Sequence, residues 1–317
     1  MKRVFKILIV TLVLIGLVFI TGCDKKKDDG KLTIITSSFP GYDFARAITK
    51  DNKDITVKML LKPGSEMHNY EPTPQDIKDI KNSDIFIYVG GDSDEWIDDI
   101  LDNIDVKKTK VVKLMRLVDL VEEEHVEGME AEEDAVNEEE APEYDEHVWT
   151  SPKNAITITK KLTKVIVGLD EDNRSIYEEN SLKYISELES IDNRIEELVK
   201  NAKRKEIVFG DRFPLRYFAD DYNLKYYAAF PGCSEQTEAS SKTITYLINR
   251  VKKDKIPVVF HIELSNGKIA KTIAKETNAK VLEFKSAHNI SQKDFDAGVT
   301  YVDIMNDNIK VLKEALN

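Results

Sequence analysis

The stretch DNRSIYEENSLKYISELESIDNRIEELVKNA, residues 172–202, contains no proline or glycine. Its apolar side chains mostly recur every three or four positions, the spacing of one face of an α-helix: Ile176, Tyr184, Leu188, Ile191, Ile195, Leu198 and Val199. Asp172 or Asn173 is a suitable N-cap. The pattern predicts one continuous helix of about 30 residues, which would be about 45 Å long at about 1.5 Å per residue.

Short β-rich runs lie on both sides of this helix and alternate with helical patterns. Four precede it, at residues 32–36, 55–60, 85–89 and 111–114, and four follow it, at residues 206–209, 225–229, 257–262 and 280–284. This alternation is typical of parallel sheets covered by helices. We therefore predict an α/β fold with two lobes, each a mainly parallel sheet flanked by helices, joined by one long spine helix. The predicted boundaries are 32–171 for the N-terminal lobe, 172–203 for the spine helix and 204–317 for the C-terminal lobe.

The N-terminus has the pattern of a secretory signal. Lys2, Arg3 and Lys6 precede an uncharged apolar run, residues 7–20, which is too short for a comfortable bilayer span. Residues 20–23, Ile-Thr-Gly-Cys, resemble a bacterial lipobox. We expect residues 1–22 to be removed, Cys23 to carry lipid, and residues 23–31 to form a charged tether at the outer face of the membrane.

Composition limits the classes of function. Hydrophobic residues make up 41% of the chain, an ordinary share for a globular protein, and the net charge is −12 from 58 acidic and 46 basic residues. This charge repels nucleic acid and favours cations near the surface. If Cys23 is lipidated, Cys233 is the only other cysteine and no intramolecular disulfide forms. We expect a monomer with no nucleic-acid partner.

One segment, residues 121–144, is dominated by glutamate and contains His125. It has few large apolar side chains, so it predicts a mobile acidic loop. Two interpretations stay open at this point. The loop is either a solvated surface insertion or a weak collector of cations beside a binding site.

Two histidines, of only five in the chain, lie in similar settings. His68 falls between the turn Pro63-Gly64 and the helix start Thr73-Pro74, and His147 shortly precedes a second helix start, Ser151-Pro152. Each alone would more often be an ordinary surface or capping histidine. Because a neutral imidazole on a rigid loop is a common zinc ligand, the pair predicts a metal site.

These motifs resemble those of the metal-binding lipoproteins that serve bacterial zinc and manganese ABC importers. The matching residues cover nearly the whole mature chain: residues 63–74 around His68, residues 147–152 around His147, Tyr177 and Asn180 in the spine helix, and residues 301–305 with Asn308. The resemblance implies two lobes joined by a rigid helix, with metal in the cleft between them. It further implies that His68 and His147 come from the N-terminal lobe and that two more ligands come from the C-terminal lobe.

The two C-terminal ligands depart from the family pattern. The family usually has histidine or glutamate just after the first strand of that lobe, where this chain reads Phe209-Gly210-Asp211-Arg212. Asp211 is the nearest chemical substitute, whereas a shift of one residue would place Arg212 there, and arginine has no lone pair to offer a metal. The last family ligand, an aspartate or glutamate, corresponds to His288. The predicted metal ligands are therefore His68, His147, His288 and Asp211.

Other potential donors have more ordinary explanations. His261 and Glu263 follow a predicted strand at the edge where open α/β sheets place ligands, but the resemblance puts such a glutamate near the cleft rather than on the metal. Cys233 has no second cysteine or cationic neighbour in its sequence context and is expected to be an inert buried thiol.

The sequence thus predicts extracytoplasmic capture of a divalent transition metal and its delivery to an ABC importer permease with its ATPase. Three imidazoles and one carboxylate favour zinc, whereas a more oxygen-rich shell would favour manganese. Surface adhesion remains open as an added or alternative role. A secreted zinc hydrolase is disfavoured because His-Glu-x-x-His and Gly-x-Ser-x-Gly are absent from the sequence, and histidine-centred motifs argue against an organic solute. We expect no enzymatic activity.

Overall fold

The strands and helices follow the predicted alternation in a computed structural model, which describes residues 31–102, 108–130, 143–234, 236 and 238–317. Within these residues the first parallel sheet has the order β2-β1-β3-β4 and the second β6-β5-β7-β8. The strands of the first are β1 (Leu32–Thr36), β2 (Ile55–Met59), β3 (Ile85–Tyr88) and β4 (Lys110–Lys113). Those of the second are β5 (Glu206–Arg212), β6 (Lys225–Phe230), β7 (Val258–His261) and β8 (Lys280–Glu283). The predicted fold class is confirmed.

Helices connect and cover both sheets. Before the long helix they are α1 (Phe39–Ile48), α2 (Pro74–Lys81), α3 (Trp96–Leu101) and α4 (Pro152–Leu169). The long helix is α5 (Arg174–Lys200), and it is followed by α6 (Arg216–Asp221), α7 (Ser241–Asp254), α8 (Lys268–Thr277), α9 (Gln292–Asp296) and α10 (Tyr301–Leu316). No helix in the described ranges combines the length and apolar character that a membrane span requires.

The long helix forms where the uninterrupted pattern predicts it. It has 27 residues, or about 40 Å at about 1.5 Å per residue, and a short 3₁₀ turn, Glu171–Asn173, leads into it. Asn173 is the N-cap, although its side chain donates to Asp170 Oδ2 at 2.9 Å instead of capping the helix. The buried face contains Tyr177, Ser181, Tyr184, Ile185, Leu188, Ile191, Ile195 and Val199.

The two sheets share one apolar core. A single hydrophobic cluster includes Ile34 of the first sheet, Leu188 of α5 and Phe260 of the second sheet. Residues Leu32–Asn317 form one compact unit. The signal and tether predicted for residues 1–30, including lipidation of Cys23, lie outside the described residues.

Residues 121–130 of the acidic segment, which the structure describes together with residues 143–144, are packed against the C-terminal half. Val126 and Met129 contact the core, Glu130 N donates to Ala229 O at 3.0 Å, and Glu127 pairs with Arg250 at 3.7 Å. Apolar side chains among the glutamates thus have partners on the C-terminal half, and the mobility of the segment stays a prediction. Residues 131–142 lie outside the described part.

Candidate metal centre

The loop that carries His68 follows β2 and is fixed at both ends. Thr73 caps α2 in a reciprocal arrangement with Asp76, whose backbone N–H donates to Thr73 Oγ1 at 3.2 Å. At the other end, Gly64 has a φ of 82°, which favours glycine, and its N–H donates to Ile290 O at 2.8 Å. The loop therefore presents His68 from a rigid frame, and the side chain of His68 is only 5% exposed.

His147 is oriented by the residue two positions earlier. Asp145 Oδ1 accepts the backbone N–H of His147 at 2.7 Å and lies 3.0 Å from the ring nitrogen Nδ1. The next residues form a 3₁₀ turn, Val148–Thr150, and Ser151 then caps α4 by accepting Asn154 N at 3.1 Å. His147 is fully buried.

His288 comes from the segment that follows β8, and its backbone is held by Glu263. Glu263 Oε1 accepts the Ser286 hydroxyl at 2.7 Å and the His288 N–H at 3.1 Å. Ala287 adopts a left-handed backbone conformation with a φ of 60°, an unfavourable one for a residue with a Cβ. The hydrogen bonds to Glu263 maintain this turn, which places the ring of His288 next to Trp149, with ring centroids 4.9 Å apart.

These three histidines converge although they are far apart in sequence. Their ring centroids are separated by 4.5 Å for His147 and His288, 5.2 Å for His68 and His288, and 6.0 Å for His68 and His147. In each ring the Nε2 atom is buried and has no hydrogen-bond partner. Buried polar atoms are normally paired, so three unpaired imidazole nitrogens at one place indicate a site for a cation.

The hydrogen bonds on the opposite nitrogens assign the tautomers. The Ser93 hydroxyl lies 2.7 Å from His68 Nδ1 and donates to Glu146 Oε1 in a short hydrogen bond. Because the carboxylate only accepts, the Ser93 oxygen accepts the Nδ1 proton of His68. Asp145 Oδ1 likewise accepts a hydrogen bond from the Nδ1–H group of His147. In both rings Nε2 then keeps its lone pair, the arrangement of histidines that bind metals.

The three imidazoles differ in their affinity for protons. Burial, together with the positive charges of His147 and Arg212, lowers the pKa of His68 to about 3. Burial and the same two groups, with His68, also lower the pKa of His288. Burial opposes protonation of His147, but Asp145 and its hydrogen bond, with Glu146 and Glu123, outweigh it and raise that pKa. His68 and His288 therefore resist protonation, whereas His147 is the ring of the three that takes up a proton most readily.

Glu146 is the carboxylate that the structure groups with the histidines. One possible ligand atom from each of His68, Glu146, His147 and His288 lies within 4.8 Å of the others. Glu146 is buried, and burial raises its pKa. Both of its oxygens already accept hydrogen bonds from Ser93, Oε2 from the backbone N–H at 3.1 Å.

The structure does not bring Asp211 into this group. Asp211 Oδ1 accepts the Arg212 N–H at 2.9 Å, and its carboxylate lines a separate cavity of about 180 Å³ with Asn69 and Lys268. His261 lies beside the carbonyl of Ile262, with Nδ1 2.9 Å from the oxygen.

Cys233 and His125 also lie outside the group of His68, Glu146, His147 and His288. Burial and nearby carboxylates, Glu146 first among them, raise the pKa of the Cys233 thiol. His125 is exposed on the acidic segment. Three of the four predicted ligands thus converge, while Asp211 lies apart.

Sequence reasoning missed Ser93, Asp145 and Glu146. Asp145 and Glu146 directly precede His147 and follow the acidic segment 121–144, but the sequence analysis assigns them no role at the site. Ser93 follows β3 and is 25 positions from His68. The carboxyl ends of neighbouring parallel strands meet at one sheet edge, and this signal could have linked the segment after β3 to the His68 loop after β2.

Comparisons with known proteins show which family the chain is similar to. The family model for the zinc-uptake complex component A, periplasmic (ZnuA), matches residues 34–315. The zinc-binding lipoprotein AdcA of Streptococcus pneumoniae (strain ATCC BAA-255 / R6) is 32% identical over 300 residues, which are 93% of this chain and 58% of AdcA. The high-affinity zinc uptake system protein ZnuA of Bacillus subtilis (strain 168) is 32% identical over 296 residues, 92% of this chain and 89% of that protein.

A solved structure extends the comparison to the fold. The Zn(II)-bound ZnuA-like domain of Streptococcus pneumoniae AdcA superposes with a TM-score of 0.74 at 29% identity, covering 90% of this chain and 99% of that domain. The chain spans 58% of the length of the full AdcA protein that it matches.

Proposed function

Because the chain belongs to the ZnuA family of zinc-uptake components, we propose that it captures a divalent transition metal, zinc in particular, outside the cytoplasm. His68, His147 and His288 supply the nitrogen ligands. The observation that supports this proposal best is the convergence of three buried, unpaired Nε2 atoms. Two of the three rings are fixed through Nδ1 by Asp145 and Ser93.

The donor set favours zinc over manganese. Imidazole nitrogen suits zinc, copper and nickel, whereas carboxylate and water oxygens suit manganese. Similar proteins carry zinc in their names, as zinc-binding lipoprotein and zinc uptake protein. Zinc would lie about 2.0–2.1 Å from each histidine nitrogen. Asp211 stays our sequence-based prediction for a fourth ligand, and Glu146 is the carboxylate grouped with the histidines.

We propose a binding role rather than a catalytic one. The protein would hand its metal to an ABC importer permease driven by an ATPase, as expected of a component of an uptake complex. The lipid on Cys23 and the tether of residues 23–31 would hold it at the outer face of the membrane. A relative named as a lipoprotein supports this anchor.

We also propose the two-lobe division, with boundaries at 32–171, 172–203 and 204–317. The two sheets on either side of α5 support it. His68 and His147 would then belong to the N-terminal lobe and His288 to the C-terminal lobe. Because one hydrophobic cluster joins both sheets, the lobes are expected to move little against each other.

Calorimetric titration tests this function. The form starting at Asp24 would be freed of metal with a chelator and titrated with zinc and, separately, with manganese. We expect one zinc per protein and weaker binding of manganese. A clear manganese preference would contradict the zinc assignment, and binding of neither metal would contradict metal capture.

A further inference from the structure

A strap from the N-terminal half crosses to the C-terminal half of the molecule. We use this name for residues 121–130, which follow β4 and the short 3₁₀ turn after it. At the far end of the strap the Glu130 N–H donates to Ala229 O of β6 at 3.0 Å. The Glu130 carboxylate also accepts the N–H of Ser240, the N-cap of α7, in a short hydrogen bond. This end of the strap is therefore fastened to β6 and α7.

The middle of the strap packs closely on an aromatic ring. Gly128 has a φ of 93°, in the region that favours glycine. A Cβ at this position would lie 2.0 Å from Cδ1 of Tyr246, a residue of α7. The neighbouring Glu127 pairs with Arg250, also of α7, at 3.7 Å. Any side chain at position 128 would therefore push the strap away from α7.

The base of the strap is bonded to the residue that orients His147. Val121 O accepts the Asp145 N–H at 3.1 Å. The Tyr217 hydroxyl donates to Asp145 O at 2.7 Å and accepts the Val121 N–H at 3.3 Å. Because Asp145 bonds to the ring of His147, the strap is connected to the metal centre through Asp145.

The strap also holds a turn of the C-terminal half against His147. Glu123 Oε1 accepts the Gly232 N–H at 3.0 Å. A Cβ on Gly232 would lie 3.1 Å from Cε1 of His147 and 3.2 Å from Asp145 Oδ2, so this turn packs directly on the ring. The strap therefore covers one side of the metal centre by keeping the Gly232 turn in place.

The strap is the weaker of two connections between the halves at this site. Its Glu124 and Glu127 side chains are exposed, and exposed ion pairs contribute little stability. Asn289 of the other connection is 1% exposed and donates to two carbonyl groups of the His68 loop. Segments held by exposed contacts open before the buried core does, so we expect the strap to open first.

We propose, on the basis of the zinc-capture function above, that the strap is a latch whose release controls the rate of zinc exchange. The Nε2 atoms of the three histidines are buried, so an ion reaches or leaves them only when a covering element moves. Release of the strap frees the Gly232 turn and uncovers His147. Since the strap supplies none of the three histidines, its release changes the rates of entry and exit more than the affinity.

The test compares Gly128→Ala with Gly168→Ala as the matched control, because a Cβ on Gly168 would meet nothing within 4 Å beyond its own stretch of helix. Zinc dissociation is followed by stopped flow with excess chelator, affinity by chelator competition, and folding by thermal unfolding. We expect Gly128→Ala to accelerate dissociation at least tenfold and to change affinity less than threefold. Gly168→Ala should change neither.

A second variant approaches the same contact from the other side. Tyr246→Ala removes the ring on which Gly128 packs, and we expect it to accelerate zinc dissociation as well. It carries the test alone if Gly128→Ala does not fold. Because both changes break one contact, the double variant should exchange zinc no faster than the faster single variant.

Hydrogen exchange of the metal-free protein, measured by NMR, reports on the latch without zinc. We expect the Glu130 and Gly232 amides to be protected in the parent and to exchange faster in Gly128→Ala. Unprotected amides in the parent would refute the latch, and so would faster amide exchange in Gly128→Ala with unchanged zinc dissociation; zinc capture would stand in both cases. If the parent binds no zinc although these amides are protected, the proposed function fails and the latch loses its role with it.

Discussion

The two halves of the molecule hold their histidines in different ways. In the N-terminal half, side chains bond directly to the rings, Asp145 to His147 and Ser93 to His68. In the C-terminal half, Glu263 bonds to the backbone around His288 and leaves the ring to packing against Trp149. The N-terminal half therefore fixes the tautomers and orientations of the His68 and His147 rings. The C-terminal half instead fixes the backbone segment that carries His288.

The halves also differ in charge at the site. Asp145 and Glu146 lie on the N-terminal side, and Arg212 lies on the C-terminal side. Burial is the largest cause of the lowered pKa values of His68 and His288, and the charges of His147 and Arg212 add to it, whereas Asp145 raises the pKa of His147 against its burial. The N-terminal half therefore supplies the carboxylates nearest to His147, whereas the C-terminal half places a guanidinium whose charge acts on His68 and His288.

Removing a ring from the N-terminal half should have the largest effect. His147→Ala deletes a ligand and removes the ring that Asp145 orients, so we expect zinc affinity to fall by more than the roughly 10–100-fold typical of lost supporting residues. Chelator competition measures the change. His125→Ala, on the exposed acidic segment, is the control and should change affinity little; equal affinity in both variants would refute the site.

Replacing a residue that holds one of the histidines in place should have the next largest effect. The size of the loss in zinc affinity should differ between the two halves. Asp145→Asn weakens the hold on the His147 tautomer, and we expect a loss of about 10–100-fold in zinc affinity. Glu263→Gln keeps hydrogen-bonding capacity near the backbone of His288 and should cost less affinity. Competition titrations on both variants would contradict the comparison if Glu263→Gln proved the more damaging.

Acidification should release zinc because one imidazole, that of His147, becomes protonated, rather than all three. The pKa of His147 is raised above its ordinary value of 6.5, so a falling pH protonates this ring first, and the loss of affinity begins above pH 6.5. His68, with a pKa of about 3, does not compete there. Below the pKa of His147, affinity should fall about tenfold per pH unit, and Asp145→Asn should move the onset to lower pH.

Calorimetric titrations between pH 5 and pH 7.5 would measure this slope. Proton release should approach one per zinc bound in the acidic part of the range. A slope near three would mean that all three imidazoles are protonated before binding, and it would contradict the difference between the halves.

Metal loading should change the overall dimensions least. The continuous helix α5 and the shared core resist domain closure, and Asn289 ties the two histidine loops together by donating to Lys62 O at 2.7 Å and Ser65 O at 2.8 Å. We expect small loop shifts. Solution scattering before and after zinc addition should show similar radii of gyration, and a large compaction would contradict a rigid frame.

Most of the fold could be predicted because its signals are local. The strands, the 27-residue helix and the proline-opened helices α2 and α4 each follow from patterns within a short window. The contacts of the acidic segment could not be predicted, because they join residues about a hundred positions apart, such as Glu130 N and Ala229 O. Composition alone does not reveal such partners.

The site could be predicted only in part for the same reason. His68 and His147 were found through their neighbouring turns, and His288 through a family resemblance. Asp211 is the nearest acid to the end of β5, but β5 extends through Arg212, and Arg212 is the residue that pairs with Glu66 of the His68 loop, at 2.7 Å. The register at a strand end decides which neighbouring residue faces the cleft, and the sequence left that register open.

The most direct test is a crystal structure of the zinc-loaded protein with anomalous data collected at the zinc edge. Our account predicts one strong peak per molecule, within bonding distance of Nε2 of His68, His147 and His288. A principal peak elsewhere, or one that lacks any of these three nitrogens, would contradict it.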